Sequence, residues 1–222
     1  MREGTIRIPF NGLLFDLDGT LIHSLEAVDR AWRTWAVEYG LDPDYVAPRI
    51  HGRRAVDSLR ALAPNLDQEA AFARLEHLEA TDTDGVLAIA GAVEFLASLE
   101  GIPWGIVTSG TEAIAIPRLS AGGIARPTVF ITANQVSQGK PHPAPFLAGA
   151  EALGIDPADI VAFEDTLAGV RSAHAAGMKV VGLTNEASAE SDWSVTDYVG
   201  VSVSVDLNGD KQSLVISPGQ IQ

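Results

Sequence analysis

Short apolar runs punctuate the chain at Gly12 to Leu17, Pro103 to Thr108, Thr128 to Ile131, Ile160 to Phe163 and Lys179 to Leu183. Each is nearly continuous rather than alternating, the pattern of a strand covered on both faces of a parallel sheet. Helical patterns lie between them, at Gly91 to Leu99, Thr111 to Ala121, Pro143 to Leu153 and Thr166 to Ala176. Strand alternating with helix predicts an α/β fold with a doubly wound, Rossmann-like parallel sheet. Ligands of such sheets bind beyond the carboxyl ends of the strands. Residues from about Leu25 to Ala90 break the alternation, with helical patterns at Glu26 to Tyr39, Arg54 to Leu62 and Asp67 to Ala80 and no convincing strand. The expected organisation is a core of residues 1–24 and 91–222 carrying an all-helical insert at 25–90. A long crossover is the competing reading, and the size of the segment favours the insert.

Composition narrows the function. The chain has 222 residues, 15 Lys and Arg against 29 Asp and Glu, and a net charge of −14. That balance argues against nucleic acid and anionic membrane as partners, which need clustered cations. The absence of cysteine removes disulfides, thiolate metal sites and a cysteine nucleophile, and suits a reducing cytoplasm. The first ten residues lack the apolar stretch of a signal peptide, and uncharged stretches fall short of a membrane span. A cytoplasmic protein is therefore the expectation, with a monomer as the default state.

Chemistry concentrates at the ends of the apolar runs. Asp16 and Asp18, in Asp16-Leu17-Asp18-Gly19-Thr20, are two apart and converge on one side of a strand end. Adjacent carboxylates repel unless a cation compensates, which suits one as nucleophile or metal ligand and the other as acid/base. Thr108 and Ser109 precede Gly110 at the next strand end, where a hydroxyl and free N–H groups suit a phosphoryl oxygen, or where a helix is simply capped. Lys140 sits between Gly139 and Pro141, which fix its backbone; a solvated loop lysine is the alternative. Glu164 and Asp165 form a second acidic pair, either for an oxygen-ligated cation or to favour the helix that follows. Together these groups provide what phosphate-ester hydrolysis requires.

In this combination the chain resembles the haloacid dehalogenase superfamily of phosphotransferases, from Leu13 to about Val199. Asp16-x-Asp18-Gly19-Thr20 resembles its first motif, Thr108 its second, Lys140 its third and Glu164-Asp165 its fourth; the helical insert matches the cap inserted after the first motif. The resemblance implies that Asp16 attacks phosphorus to give an aspartyl-phosphate and that Asp18 serves as acid and then base. It implies Mg²⁺ held by Asp16, the Asp18 carbonyl and Asp165, with Glu164 in direct or outer support. Thr108, Ser109 and Lys140 would bind phosphoryl oxygens, Lys140 also shielding Asp16. Dehalogenases proper lack the Asp-x-Asp pair, which disfavours dehalogenation.

Within the superfamily, Arg126 to Pro143 is similar to small sugar- and polyol-phosphate phosphatases, such as those acting on glycerol-3-phosphate and 2-deoxyglucose-6-phosphate. His51-Gly52-Arg53-Arg54 resembles the cap loop of the same group, and residues 49–60 carry Arg49, Arg53, Arg54 and Arg60 against Asp57. Arg54 is the expected cap contact to a small phosphorylated metabolite; an ordinary exposed helix face is an equal reading of the patch. β-Phosphoglucomutase is a near neighbour, but its hinge histidine and cap arginine align with Val28 and Ala55, so water is the expected phosphoryl acceptor. A phosphomutase and a non-catalytic phosphate- or metal-binding module are the alternatives. His23 stands where these enzymes usually have Asp, and the remaining histidines have no metal-ligand spacing. Trp32 and Trp35 read as packing, with a saccharide platform as the other possibility.

Overall fold

A computed structural model describes residues 5–50, 52–183, 185–205 and 212–217. In chain order it contains β1 (Ile6–Phe10), β2 (Gly12–Phe15), β3 (Ile22–His23), α1 (Leu25–Glu38), α2 (Pro43–Val46), α3 (Ala55–Leu62), α4 (Gln68–Thr81), β4 (Leu87–Ala88) and α5 (Ala92–Ala97). There follow β5 (Trp104–Val107), α6 (Glu112–Ala121), β6 (Val129–Ile131), α7 (Ala144–Leu153), β7 (Ile160–Glu164), α8 (Leu167–Ala175), β8 (Lys179–Gly182), α9 (Asn185–Ser188), β9 (Trp193–Ser194), β10 (Val201–Val205) and β11 (Gln212–Ile216).

The main sheet has the order β6-β5-β2-β7-β8-β9 and every pairing in it is parallel. Each apolar run predicts one of its strands, and both faces are covered as continuous apolarity requires. Leu13, Phe15, Ile106, Val161 and Phe163 face one core with Phe95 of α5 and Leu119 of α6. Leu14, Val107, Ala162 and Val180 face the other with Phe146 of α7 and Val170 of α8. The chain adds strands on one side of β2 and then, after β6, on the other. The carboxyl end of β2 is thus the switch point of the sheet, where side chains from both halves meet.

Helices α1 to α4 have a core of their own, around Trp32, Trp35, Leu59 and Leu75, and α4 packs on α6. The chain passes to and from them through the two-residue antiparallel ribbon of β3 and β4, which pairs Ile22 with Ala88 and His23 with Leu87. This ribbon places a short strand at the end of the segment that sequence reads as strandless. A second departure is the antiparallel sheet β1-β11-β10, built from segments in which sequence reading finds no element. Ile8 and Phe10 of β1, and Leu214 and Ile216 of β11, add to the core against α5, while Pro9 is tolerated because β1 pairs on one side only. No helix among the described residues is long and apolar enough to cross a membrane.

Candidate active site

The turn after β2 is fixed by its backbone. Asp16 N donates to the Phe163 carbonyl at 3.0 Å, tying the first acidic residue to β7, and Gly19 N donates to Ile22 O at 2.8 Å. Gly19 has φ +88°, and a Cβ there would lie 2.1 Å from Asp165 Oδ2. A glycine is therefore required for the first acidic pair to approach the second.

Asp16, Glu164 and Asp165 are all buried, and an oxygen of each lies within 4.8 Å of the others. Lys140 enters from the loop between β6 and α7, rather than from a strand end, and its ammonium reaches the centre of the group. It donates to Asp16 Oδ1 at 2.5 Å, to the Val107 carbonyl at 3.1 Å and to Glu164 Oε1. These partners use its three N–H donors. The far oxygen of Glu164 accepts from the Asp165 and Thr166 amides at 3.2 and 3.4 Å, and Thr20 Oγ1 donates to Asp165 Oδ1 at 3.3 Å.

Charge in this cluster is unbalanced. Burial pushes the Asp16 carboxyl up to about 8, and Lys140 pulls it back only in part because Glu164 and Asp18 add to the rise. Burial, then Asp16 and Glu164, likewise raises Asp165 well above the usual carboxylate range. Burial disfavours the Lys140 charge, but Asp16 and Glu164 outweigh it and hold the ammonium above the ordinary lysine range. Three buried carboxylates against one ammonium, all hard oxygen donors, fit a divalent cation of the Mg²⁺ type.

A cavity of about 260 Å³ opens beside this cluster, between the sheet and α1 to α4. Asp16, Asp18, Asp165, Thr108, Ser109 and Arg54 line it. Thr108 Oγ1 accepts from Gly110 N at 3.0 Å, and Ser109 Oγ donates to the Gly52 carbonyl at 3.3 Å, a contact between the sheet and the helical segment. Lys140 and Glu164 stand behind Asp16 rather than on the wall. Arg54 is buried and forked onto Asp57 at 2.7 and 3.0 Å, with a third bond to the Val136 carbonyl at 2.9 Å. It thereby anchors its loop to the segment that carries Lys140. Its neighbour Arg53 lines the cavity while exposed and carries no ion pair among the described residues. The rest of the basic patch lies elsewhere: Arg49 sits over the Tyr45 ring and Arg60 is exposed. Trp32 is on the cavity wall, whereas Trp35 is fully buried and donates to the Ala71 carbonyl at 3.0 Å. The His23 side chain is exposed with no hydrogen bond among the described residues, and His51 lies outside them.

Sequence reasoning misses the groups that hold Asp18. Ser24 Oγ donates to Asp18 Oδ1 at 2.6 Å, and Arg118 Nη1 donates to the same oxygen at 2.9 Å. The other arm of Arg118 donates to Glu79 Oε2 of α4 at 2.9 Å. A signal for both residues exists in the helix periods. Ile114, Ala115, Arg118 and Leu119 share the buried face of α6, and Ala71, Leu75 and Glu79 share that of α4, so each charge sits on an apolar stripe.

Gly169, in the first turn of α8, gives a test of how tightly the centre is built. A Cβ there would lie 1.8 Å from Glu164 Cδ, and Glu164 cannot yield without releasing Lys140. Gly169→Ala should lower stability by about 1–3 kcal/mol or more, as overpacking does, and also reduce activity. Thermal unfolding measures this, and an unchanged melting temperature would show that Glu164 is free to move.

A doubly wound sheet whose switch point gathers two acidic pairs around one lysine, beneath a layer of helices, defines an α/β enzyme with an acidic, cation-ready centre. Residues 13–183 match the family model described as haloacid dehalogenase-like hydrolase, and the chain belongs to that family. It is 45% identical over 208 residues to hexitol phosphatase A of Escherichia coli, covering 90% of this chain and 96% of that protein. It is 36% identical over 190 residues to glycerol-1-phosphate phosphohydrolase 2 of Saccharomyces cerevisiae, covering 80% and 76%. Its fold is similar to the crystal structure of CbbY from Rhodobacter sphaeroides in complex with phosphate, with TM-score 0.73, 19% identity, and coverage of 85% and 95%.

Proposed function

We propose that the protein hydrolyses the phosphate monoester of a small sugar or polyol, with Asp16 as nucleophile and Asp18 as acid and base. The observation that carries this reading is the Asp16–Lys140–Glu164–Asp165 cluster opening, through Asp16 and Asp165, onto a cavity that Asp18 and Thr108 also line. The relatives named as phosphatases of hexitol and glycerol phosphates support the substrate class. Residues 25–90 act as a cap that closes the cavity over the sheet, the β3–β4 ribbon being the joint.

The roles follow from placement. Lys140 and Glu164, behind Asp16, hold its reactive carboxylate in line with the cavity and limit the charge it bears. Thr108, Ser109 and the N–H groups of their loop are the donors within the cavity wall for phosphoryl oxygens. A Mg²⁺ ion would be held by the Asp16 carboxylate, the Asp18 carbonyl and Asp165, with Glu164 in support, and would neutralise phosphoryl charge. Asp18 protonates the departing alcohol oxygen as Asp16 bonds to phosphorus. It then takes a proton from the water that releases phosphate and restores Asp16, so one water yields one alcohol and one phosphate. Arg54 ties the cap loop down, and exposed Arg53, which carries no ion pair among the described residues, is a cation placed for the substrate's outer end.

The test is phosphate release from a panel of hexitol, glycerol and hexose phosphates, with magnesium and after chelation. Turnover that disappears with chelator and returns with magnesium is expected. Isomerised product without free phosphate would indicate a mutase, and binding without turnover a non-catalytic protein.

A further inference from the structure

We propose that Arg118 is a positioning residue for the acid/base aspartate, fixing which oxygen of Asp18 carries the catalytic proton. The proposal rests on the phosphatase reading above and adds a residue and an atom to it. Both donors on Asp18, Ser24 Oγ and Arg118 Nη1, meet the same oxygen, Oδ1, at 2.6 and 2.9 Å. An oxygen saturated by two donors serves as the carbonyl-like acceptor of a carboxylic acid, which leaves the O–H on Oδ2. Oδ2 has no hydrogen-bond donor on it among the described residues, and Asp18 lines the cavity. The proton is thus presented to the reacting ester rather than to the protein.

Arg118 suits this task because it is buried and held at both ends. Its side chain is 2% exposed, its second arm is bonded to Glu79, and it rises from α6, which is anchored in the sheet core through Ala115 and Leu119. Glu79 is buried on α4 and faces Trp32 as well as Arg118. The guanidinium fork therefore spans the sheet side and the helical cap, and its plane is set by a carboxylate at each end. A lysine at this place would reach one carboxylate and leave the other buried and unpaired.

The chemistry of the leaving group tests the idea. Glycerol phosphate expels an alkoxide that needs a proton, whereas p-nitrophenyl phosphate expels a phenolate that does not. In Arg118→Met, kcat on glycerol phosphate should fall on the order of 100-fold, the scale of one general acid, with KM within about threefold. First-turnover nitrophenolate release should fall by less than about fivefold, on the same Brønsted grounds. A burst near one nitrophenolate per site should appear, because the hydrolytic step still needs Asp18 as its base and becomes the slow step once Asp18 is misplaced. The variant Arg118→Met with Glu79→Gln removes both buried charges together and gives the same readout if the single variant does not fold. Equal losses on the two esters, or a loss confined to KM, would overturn the role of Arg118. A wild-type protein inert to both esters would instead overturn the phosphatase reading.

Discussion

Asp16→Asn is expected to lower turnover by a factor on the order of 10⁴ or more, the scale seen when a nucleophile is removed, while raising the melting temperature of chelator-treated protein. The first half follows from chemistry: an amide at this position accepts hydrogen bonds from Lys140 but does not form an ester to phosphorus. The second follows from electrostatics. Burial, reinforced by Glu164 and Asp18, pushes Asp16 up to about 8. A carboxyl whose folded value lies above its unfolded one near 3.8 adds stability that is full below that value. The contribution fades as pH rises to about 8, because ionised Asp16 is disfavoured inside. Asparagine never ionises and does not lose it. The gap in melting temperature between variant and wild type should therefore widen from pH 5 to pH 8 and shrink when magnesium is added. Calorimetry at the two pH values, beside a phosphate-release assay, decides the matter. Turnover retained by the variant would show that Asp16 is not the nucleophile, and a gap that ignores pH and magnesium alike would show that it is not part of an over-charged centre.

The centre was readable in sequence because its residues are local to strand ends. Asp16 with Asp18, Thr108 with Ser109, and Glu164 with Asp165 each follow an apolar run, and a parallel sheet brings such ends together whatever the intervening chain does. Lys140 was readable for a different reason, the glycine and proline that flank it. The pairing of Arg118 with Glu79 was not, since the two meet only because α4 packs on α6, and the buried charge on each helix stripe does not encode that docking. The Lys140 contact with Asp16 is one that the resemblance implies, whereas its bonds to the Val107 carbonyl and Glu164 carry no sequence signal. In the fold, continuous apolar runs exposed the main sheet, whereas β3 and β4 are two residues long and below any periodic signal. The sheet formed by β1, β10 and β11 does carry alternation, in Ile6-Arg7-Ile8 and in Val201-Ser202-Val203. A proline weakens the first signal, and the pairing of β1 with β11 is wholly non-local.

Lys140→Met carries the largest expected stability effect. Lys140 is the only ammonium reaching Asp16 and Glu164 among the described residues, and methionine has similar length without the charge. Removing one partner of a buried ion pair and leaving the others uncompensated costs about 3–5 kcal/mol. For a chain of this size that is a fall of roughly 10 °C in melting temperature. Apolar packing is not the cause, because the lysine stem and the Phe146 ring beneath it, 5.2 Å from the ammonium, have an apolar counterpart in methionine. The cause is identified by the double variant. If carboxylate repulsion dominates, adding Asp16→Asn to Lys140→Met removes one of the crowded charges and recovers a large part of the loss. The two substitutions then deviate from additivity by more than about 1 kcal/mol, well beyond what independent sites show. If Lys140 acts mainly through its bond to the Val107 carbonyl, the effects add and Asp16→Asn gives in the Lys140→Met background only the gain it gives in the wild type. Arginine is not a rescue here, since a planar fork does not fit a site built for a point charge meeting three acceptors. Denaturant unfolding of the four proteins of this cycle, with and without magnesium, separates these outcomes. Magnesium should stabilise Lys140→Met more than wild type, because the extra negative charge left by the substitution attracts a cation more strongly.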